Sequence, residues 1–116
     1  MKKITKEACE AFINGVPFHK DNTSVVLFND FALMTLFNNY IAKRGTTDNA
    51  NAVILSDGGW ETATTKERLN GLLQLLDSPF FIVQRDYVWY VTDGETKVPW
   101  KSGYTVQHWL EELSLV

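Results

Sequence analysis

The sequence predicts an α+β fold built on an antiparallel sheet. Three observations point there: short β-branched and aromatic runs separated by tight turn signals, one strongly amphipathic helical segment near the middle, and no strand–helix–strand alternation along the chain. Thr5 is placed to cap a first short helix through Asn14, with Ala8, Ala11 and Phe12 at helical spacing and Gly15 as the residue that ends it. Thr23 to Phe28 and Phe31 to Phe37 form a hairpin about Asn29-Asp30. Asn38-Asn39 then turns the chain into a short third strand, Tyr40-Ile41-Ala42. After a polar loop from Gly45 to Asn51, Val53-Ile54-Leu55 is the fourth strand of this meander, closed by Asp57-Gly58-Gly59.

The central helix announces itself through Thr64-Thr65-Lys66-Glu67, which reads as a capping box: Thr64 accepts the backbone N–H three residues on while Glu67 reaches back. Leu69, Leu72, Leu73 and Leu76 give that helix one apolar stripe suited to packing on a sheet, and Ser78-Pro79 ends it. Phe80 to Gln84 and Val88 to Val91 flank Arg85-Asp86-Tyr87 as a C-terminal hairpin, with Asp93-Gly94 as the next turn. From Thr105 onward, Trp109, Leu110 and Leu113 fall at the spacing of a short terminal helix. The expected architecture is a meander plus C-terminal hairpin packed against one central amphipathic helix, with short helices at both ends, in a single domain over residues 1–116.

Composition sets the outer bounds on function. A chain of 116 residues with 45% hydrophobic and 22% charged residues can bury a core without staples, and its one cysteine, Cys9, cannot form an internal disulfide. No apolar run exceeds five residues, against the roughly 20 a membrane-spanning helix needs. The expectation is a soluble protein of a reducing cytoplasm with no membrane partner. A net charge of −3 speaks against strong non-specific nucleic-acid binding, which depends on a surplus of cations, and the acidic residues are scattered rather than set in a dense stripe.

Catalytic chemistry has little to work with. Cys9, beside Ala8 and Ala11, reads as a buried thiol. His19 lies in a lysine-containing loop, and His108 beside Trp109 in the last helix. One cysteine and two histidines do not make a zinc set, so neither a metal nor a cofactor is expected. The carboxylate pairs Glu111-Glu112 and Asp93 with Glu95 read as solvated, and Gly58-Gly59 lacks the rest of a phosphate-loop pattern. No catalytic residue is assigned; an enzyme would have to draw its base from His19 or His108.

Two features suggest binding. Lys66 and Arg68 fall in the first turn of the expected central helix, where cations are disfavoured by about 0.3–1 kcal/mol. Either Glu67 compensates them, or a phosphate does, held by Thr64, Thr65, Lys66 and Arg68, extended by Lys43 and Arg44, with Trp60 or Trp89 to stack a base. The second feature is the aromatic group Tyr87, Trp89, Tyr90, Trp100 and Tyr104. Trp89 and Tyr90 point to opposite faces of one strand, so either one is exposed as a protein-binding anchor or the terminal helix covers both.

The segments Leu36-Phe37-Asn38-Asn39-Tyr40-Ile41-Ala42, Gly59-Trp60, Thr62-Ala63-Thr64-Thr65-Lys66-Glu67-Arg68-Leu69-Asn70 and Val88-Trp89-Tyr90 together resemble a family of small hypothetical proteins encoded by bacteriophages and prophages. The chain differs from that pattern in its longer loop from Gly45 to Asn51 and in its tail beyond Trp100. The resemblance carries no known activity. It implies a phage accessory protein that binds and blocks a host defence complex, in the manner of an anti-CRISPR or a restriction inhibitor, with a small nucleic-acid-binding module as the alternative.

Overall fold

In the computed structural model, which describes residues 1–116, helix α1 spans Lys3–Asn14. It converts the spacing of Thr5, Ala8, Cys9 and Phe12 into one buried face. Gly15 ends it in the left-handed conformation, its N–H bonded to the Ala11 carbonyl, as its position predicts. Thr5 does not cap this helix. The cap position is Lys2, with no side-chain cap bond, and Thr5 lies inside the first turn with its hydroxyl turned to the neighbouring helix.

Six strands make an antiparallel sheet: β1 (Phe18–Lys20), β2 (Thr23–Leu27), β3 (Phe31–Leu36), β4 (Asn39–Gly45), β5 (Ile54–Leu55) and β9 (Tyr104–Thr105), in the order β1-β2-β3-β4-β5-β9. The meander expected from the turn signals is its centre. The short edge strands β1 and β9 escape a periodicity reading because two or three residues show no alternation. Register sets Phe18, Val25, Met34, Ala42 and Leu55 in one row across the sheet, and apart from half-buried Phe18 all are buried beneath the helices. The next row, Val26, Leu33, Lys43 and Ile54, lies on the opposite, more exposed face. Between Met34 and Thr35 the β3–β4 register slips, so Ile41 is an extra residue on β4. Ile41 and Ala42 are consecutive and both buried, as a bulge allows.

A single 3-10 turn, Ala50–Ala52, leads into β5, and helix α2 runs Ala63–Leu75. Its cap is Thr62, whose hydroxyl accepts the Thr65 N–H at 3.1 Å, rather than Thr64. Three threonines in four residues offered two registers. Glu67 decides between them because it serves the other helix: its carboxylate accepts the Thr5 hydroxyl and, at 3.5 Å, the Lys2 N–H at the start of α1. Leu69, Leu72 and Leu73 are buried as their spacing predicts, and Asp77 ends the helix in the left-handed region two residues ahead of Pro79. Helix α2 packs against α1, β4 and the later strand β6 (Phe81–Arg85), so α1 shares with it the covering of the sheet.

The helices meet at Gly71, where an added Cβ would lie 2.3 Å from Thr5 Cγ2. Glycine inside a helix ordinarily costs about 1 kcal/mol relative to alanine. Here the sign reverses, because the Thr5 hydroxyl is tied to α2 and its side chain cannot swing away. Gly71→Ala is expected to lower stability by about 1–3 kcal/mol, read as a fall in the urea midpoint at unchanged slope; a raised midpoint would contradict this close crossing.

A second antiparallel sheet contains β6 (Phe81–Arg85), β7 (Val88–Thr92) and β8 (Lys97–Pro99). Ile82, Val91 and Val98 form its buried row. The Asn70 side chain joins this sheet to α2 by pairing with the Ile82 backbone, accepting its N–H at 2.7 Å and donating to its carbonyl at 2.9 Å. Helix α3 (Val106–Ser114) follows β9 directly, capped by Thr105 in a box that His108 completes. No helix is long and apolar enough to cross a membrane.

Candidate functional site

The β3–β4 connection is a tight turn in which Phe37 and Asn38 both have positive φ, 50° and 67°. The sequence pattern placed this turn one residue later, at Asn38-Asn39. Such a turn matches the twist of its strands but favours Asn, Asp and Gly, so a bulky phenylalanine there is strained. Phe37 gains no burial in return: it is 67% exposed.

Opposite this turn, the segment after β5 is held tightly. Ser56 Oγ accepts the Gly58 N–H at 3.0 Å, Asp57 Oδ1 accepts the Gly59 N–H at 2.8 Å, and Ser102 Oγ accepts the Asp57 N–H at 2.9 Å. Gly58 has a φ of 66°, and an added Cβ would stand 3.2 Å from Asn39 Cβ, so only glycine lets the loop press against β4. The exit from this loop sets Trp60 into solvent, 68% exposed.

Between the turn and the loop lies a groove of about 410 Å³, lined by Leu36, Phe37, Asn39, Ile41, Asp57, Gly58, Trp60, Thr62 and Thr65. The bulge brings Ile41 to its floor, and the cap of α2 forms one end. The segments that carry the phage resemblance, distant in sequence, supply most of its lining. Asp57 accepts the Trp100 indole N–H on Oδ2 at 3.0 Å, which ties the groove to the core behind it. Partial burial and the nearby Asp57 charge raise the Glu61 carboxyl above its ordinary value.

The aromatic group expected at a partner surface divides. Trp89 and Trp100 are buried, and neither offers a face to a partner. Trp100 stacks on Trp109 at 5.6 Å and meets the edge of Trp89 at 5.6 Å. The terminal helix reaches this pair through Trp109, so of the two opposed strand residues Trp89 is buried while Tyr90 stays half-exposed on the other face. Tyr90 is half-buried with Lys97 Nζ 4.8 Å from its ring centre, and the Tyr104 hydroxyl donates to Glu112 at 3.2 Å. Tyr87 alone is fully presented, 92% exposed on the β6–β7 turn.

The residues considered for phosphate do not converge. Arg68 is only 4% exposed; it donates to Thr23 Oγ1 at 3.2 Å, Thr5 Oγ1 at 2.8 Å and Glu67 Oε1 at 2.5 Å. With Thr62 as cap, Lys66 and Arg68 lie beyond the first turn of α2, so the clash with its dipole that suggested an anion does not arise. Lys66 Nζ donates to Gln84, Thr65 is buried, and Thr64 is half-buried. Lys43 lies over the Phe31 ring, and Arg44 donates to the Phe12 and Ile13 carbonyls at the end of α1.

Cys9 is fully buried, and burial first, then the Glu67 charge, pushes its thiol up to about 12, which removes the thiolate at neutral pH. His19 Nδ1 pairs with Ser24 Oγ on the open sheet face, while His108 Nδ1 accepts the Thr105 N–H in the cap of α3. The Asp93 carboxylate is lowered by the Thr96 and Glu95 backbone N–H groups of its own turn. Sequence reasoning missed Phe37 entirely and treated Trp60 only as a stacking platform. With Asn38-Asn39 read as the turn, Phe37 passed for a strand residue; only its positive φ puts an aromatic in the turn itself, where packing has no use for one.

Residues 1–107 match the family model described as Kyanoviridae Gp96 protein, and the chain belongs to this family of phage proteins. The match continues past Trp100 into the C-terminal segment and includes the whole groove. No curated protein and no solved structure matches the chain.

Proposed function

We propose that this phage protein is a non-enzymatic binding protein that docks its groove onto a host protein in the cytoplasm of the infected cell, with a defence nuclease such as a CRISPR effector as the partner class. The observation that carries this reading is the pair of large aromatic side chains, Phe37 and Trp60, held open on either side of a preformed apolar groove. Protein interfaces are enriched in aromatic anchors near their centres, and backbone strain that packing does not use collects at sites of function. The phage family supplies the setting. The nucleic-acid alternative loses its motivating cluster, since Arg68, Lys66, Lys43 and Arg44 are each engaged elsewhere.

The test compares tagged wild type with a Phe37→Ala, Trp60→Ala double variant in nuclease-treated host lysate, followed by cleavage assays on the retained complex. Both residues are exposed, so the variant's stability should stay within about 0.5 kcal/mol of wild type. Wild type is expected to retain a defined complex and suppress its nuclease activity, and the double variant to do neither. Equal retention by both would refute docking through this groove.

A further inference from the structure

The groove is electrostatically one-sided. Its lining contains Asp57 and no Lys, Arg or His. Both Asp57 oxygens are fixed by neutral donors, the Gly59 N–H and the Trp100 indole, so the carboxylate is aimed without being neutralised. Glu61, adjacent in sequence to Trp60, is close enough to feel that charge. The salt bridges of the molecule lie elsewhere, between Lys6 and Glu10 and between Arg68 and Glu67. An open indole, the Asp57 carboxylate and an apolar floor of Leu36 and Ile41 thus line one groove, with Glu61 beside it and no cation in the lining.

From this charge complementarity we infer that the groove receives a basic side chain, an Arg or Lys next to an apolar residue on an exposed segment of the partner protein. The indole face attracts the cation through its quadrupole, and the carboxylates add a Coulombic term that water screens only partly in a recess. Arg and Lys also have apolar stems that can lie along Leu36 and Ile41 while the charged head reaches Asp57, in the field of Glu61 beside it. The inference rests on the groove being the docking surface and adds what that surface selects.

The probes are acetyl-Leu-Arg-Leu-amide and its neutral counterpart acetyl-Leu-Gln-Leu-amide, titrated into the full-length ¹⁵N-labelled protein. The Trp60 indole N–H and the Gly58 and Gly59 amides report on the groove. The Arg peptide is expected to shift these signals and to bind roughly five- to tenfold more tightly than the Gln peptide, the ratio that a partly exposed cation–π and carboxylate contact supplies. Glu61→Gln should reduce that preference, Trp60→Ala should weaken both peptides, and added salt should reduce only the Arg advantage. Equal affinity for the two peptides overturns the cation selection and leaves the groove standing as a docking surface. No shift at the groove with either peptide overturns the inference, and the double-variant retention experiment then decides the docking reading separately.

Discussion

Replacing Arg68 by methionine should lower the unfolding free energy by about 2–4 kcal/mol, the largest effect expected of any polar substitution in this protein. The guanidinium is the hub of a buried network. It donates to Thr5 on α1, Thr23 on β2 and Glu67 on its own helix, and Thr23 in turn donates to Asn22. Methionine fills most of the volume but strips the buried Thr5 and Thr23 oxygens of their guanidinium donor and leaves the Glu67 carboxylate, about a quarter exposed, without its cation. The loss follows from that stranding, not from the Coulombic worth of the pair. A concerted replacement of Arg68, Glu67 and both threonines by apolar residues should therefore recover part of it. Urea unfolding of the two variants distinguishes the cases. An Arg68→Met loss below about 1 kcal/mol would mean that water reaches the network and that the two helices are not locked by it.

Trp109→Ala should cost about 3–5 kcal/mol, the range for removing a large buried aromatic from a packed core. Helix α3 buries only Val106, Trp109 and Leu113, so one side chain provides most of its attachment. Trp109 also stacks on Trp100 and touches the Tyr104 ring at 4.8 Å, and Trp100 positions Asp57 in the groove. Two readouts should change together: the near-ultraviolet circular dichroism of the stacked indoles should collapse, and the Gly58 and Gly59 amides should shift although the mutation lies outside the groove. Loss of stability with unshifted glycine amides would separate the groove from the aromatic core. The converse control is Trp60→Ala, which removes an exposed indole and should leave both stability and the dichroism of the stack nearly intact.

Much of the architecture was legible because it follows from local pattern. Alternation in Thr23 to Leu27, the leucine spacing of α2 and the glycine after α1 each specify an element within a few residues. The errors came where two local solutions were nearly equal and a tertiary contact chose. Thr62 and Thr64 could both cap α2, and Glu67 was drawn away to α1. Arg68 looked like a surface cation because its partners, Thr5 and Thr23, are more than forty residues distant in sequence. The groove was illegible for the same reason. Its lining comes from a turn, a bulge, a glycine loop and a helix cap, and no window of sequence contains more than part of it.

The pairing of β5 with β9 has a consequence for how the chain is made. These neighbours are separated in sequence by α2 and the entire second sheet. During synthesis the meander of β1 to β4 can assemble early, but β5 keeps an open edge until residues 104 and 105 leave the ribosome. Contacts of long sequence separation form late, and an unpaired edge is a template for association in the interval. A message truncated anywhere before this point would release a chain whose large sheet ends in an unprotected strand. The segment that begins with β9 at residue 104 and continues into α3 thus serves as the fold's closing step as well as its terminal helix.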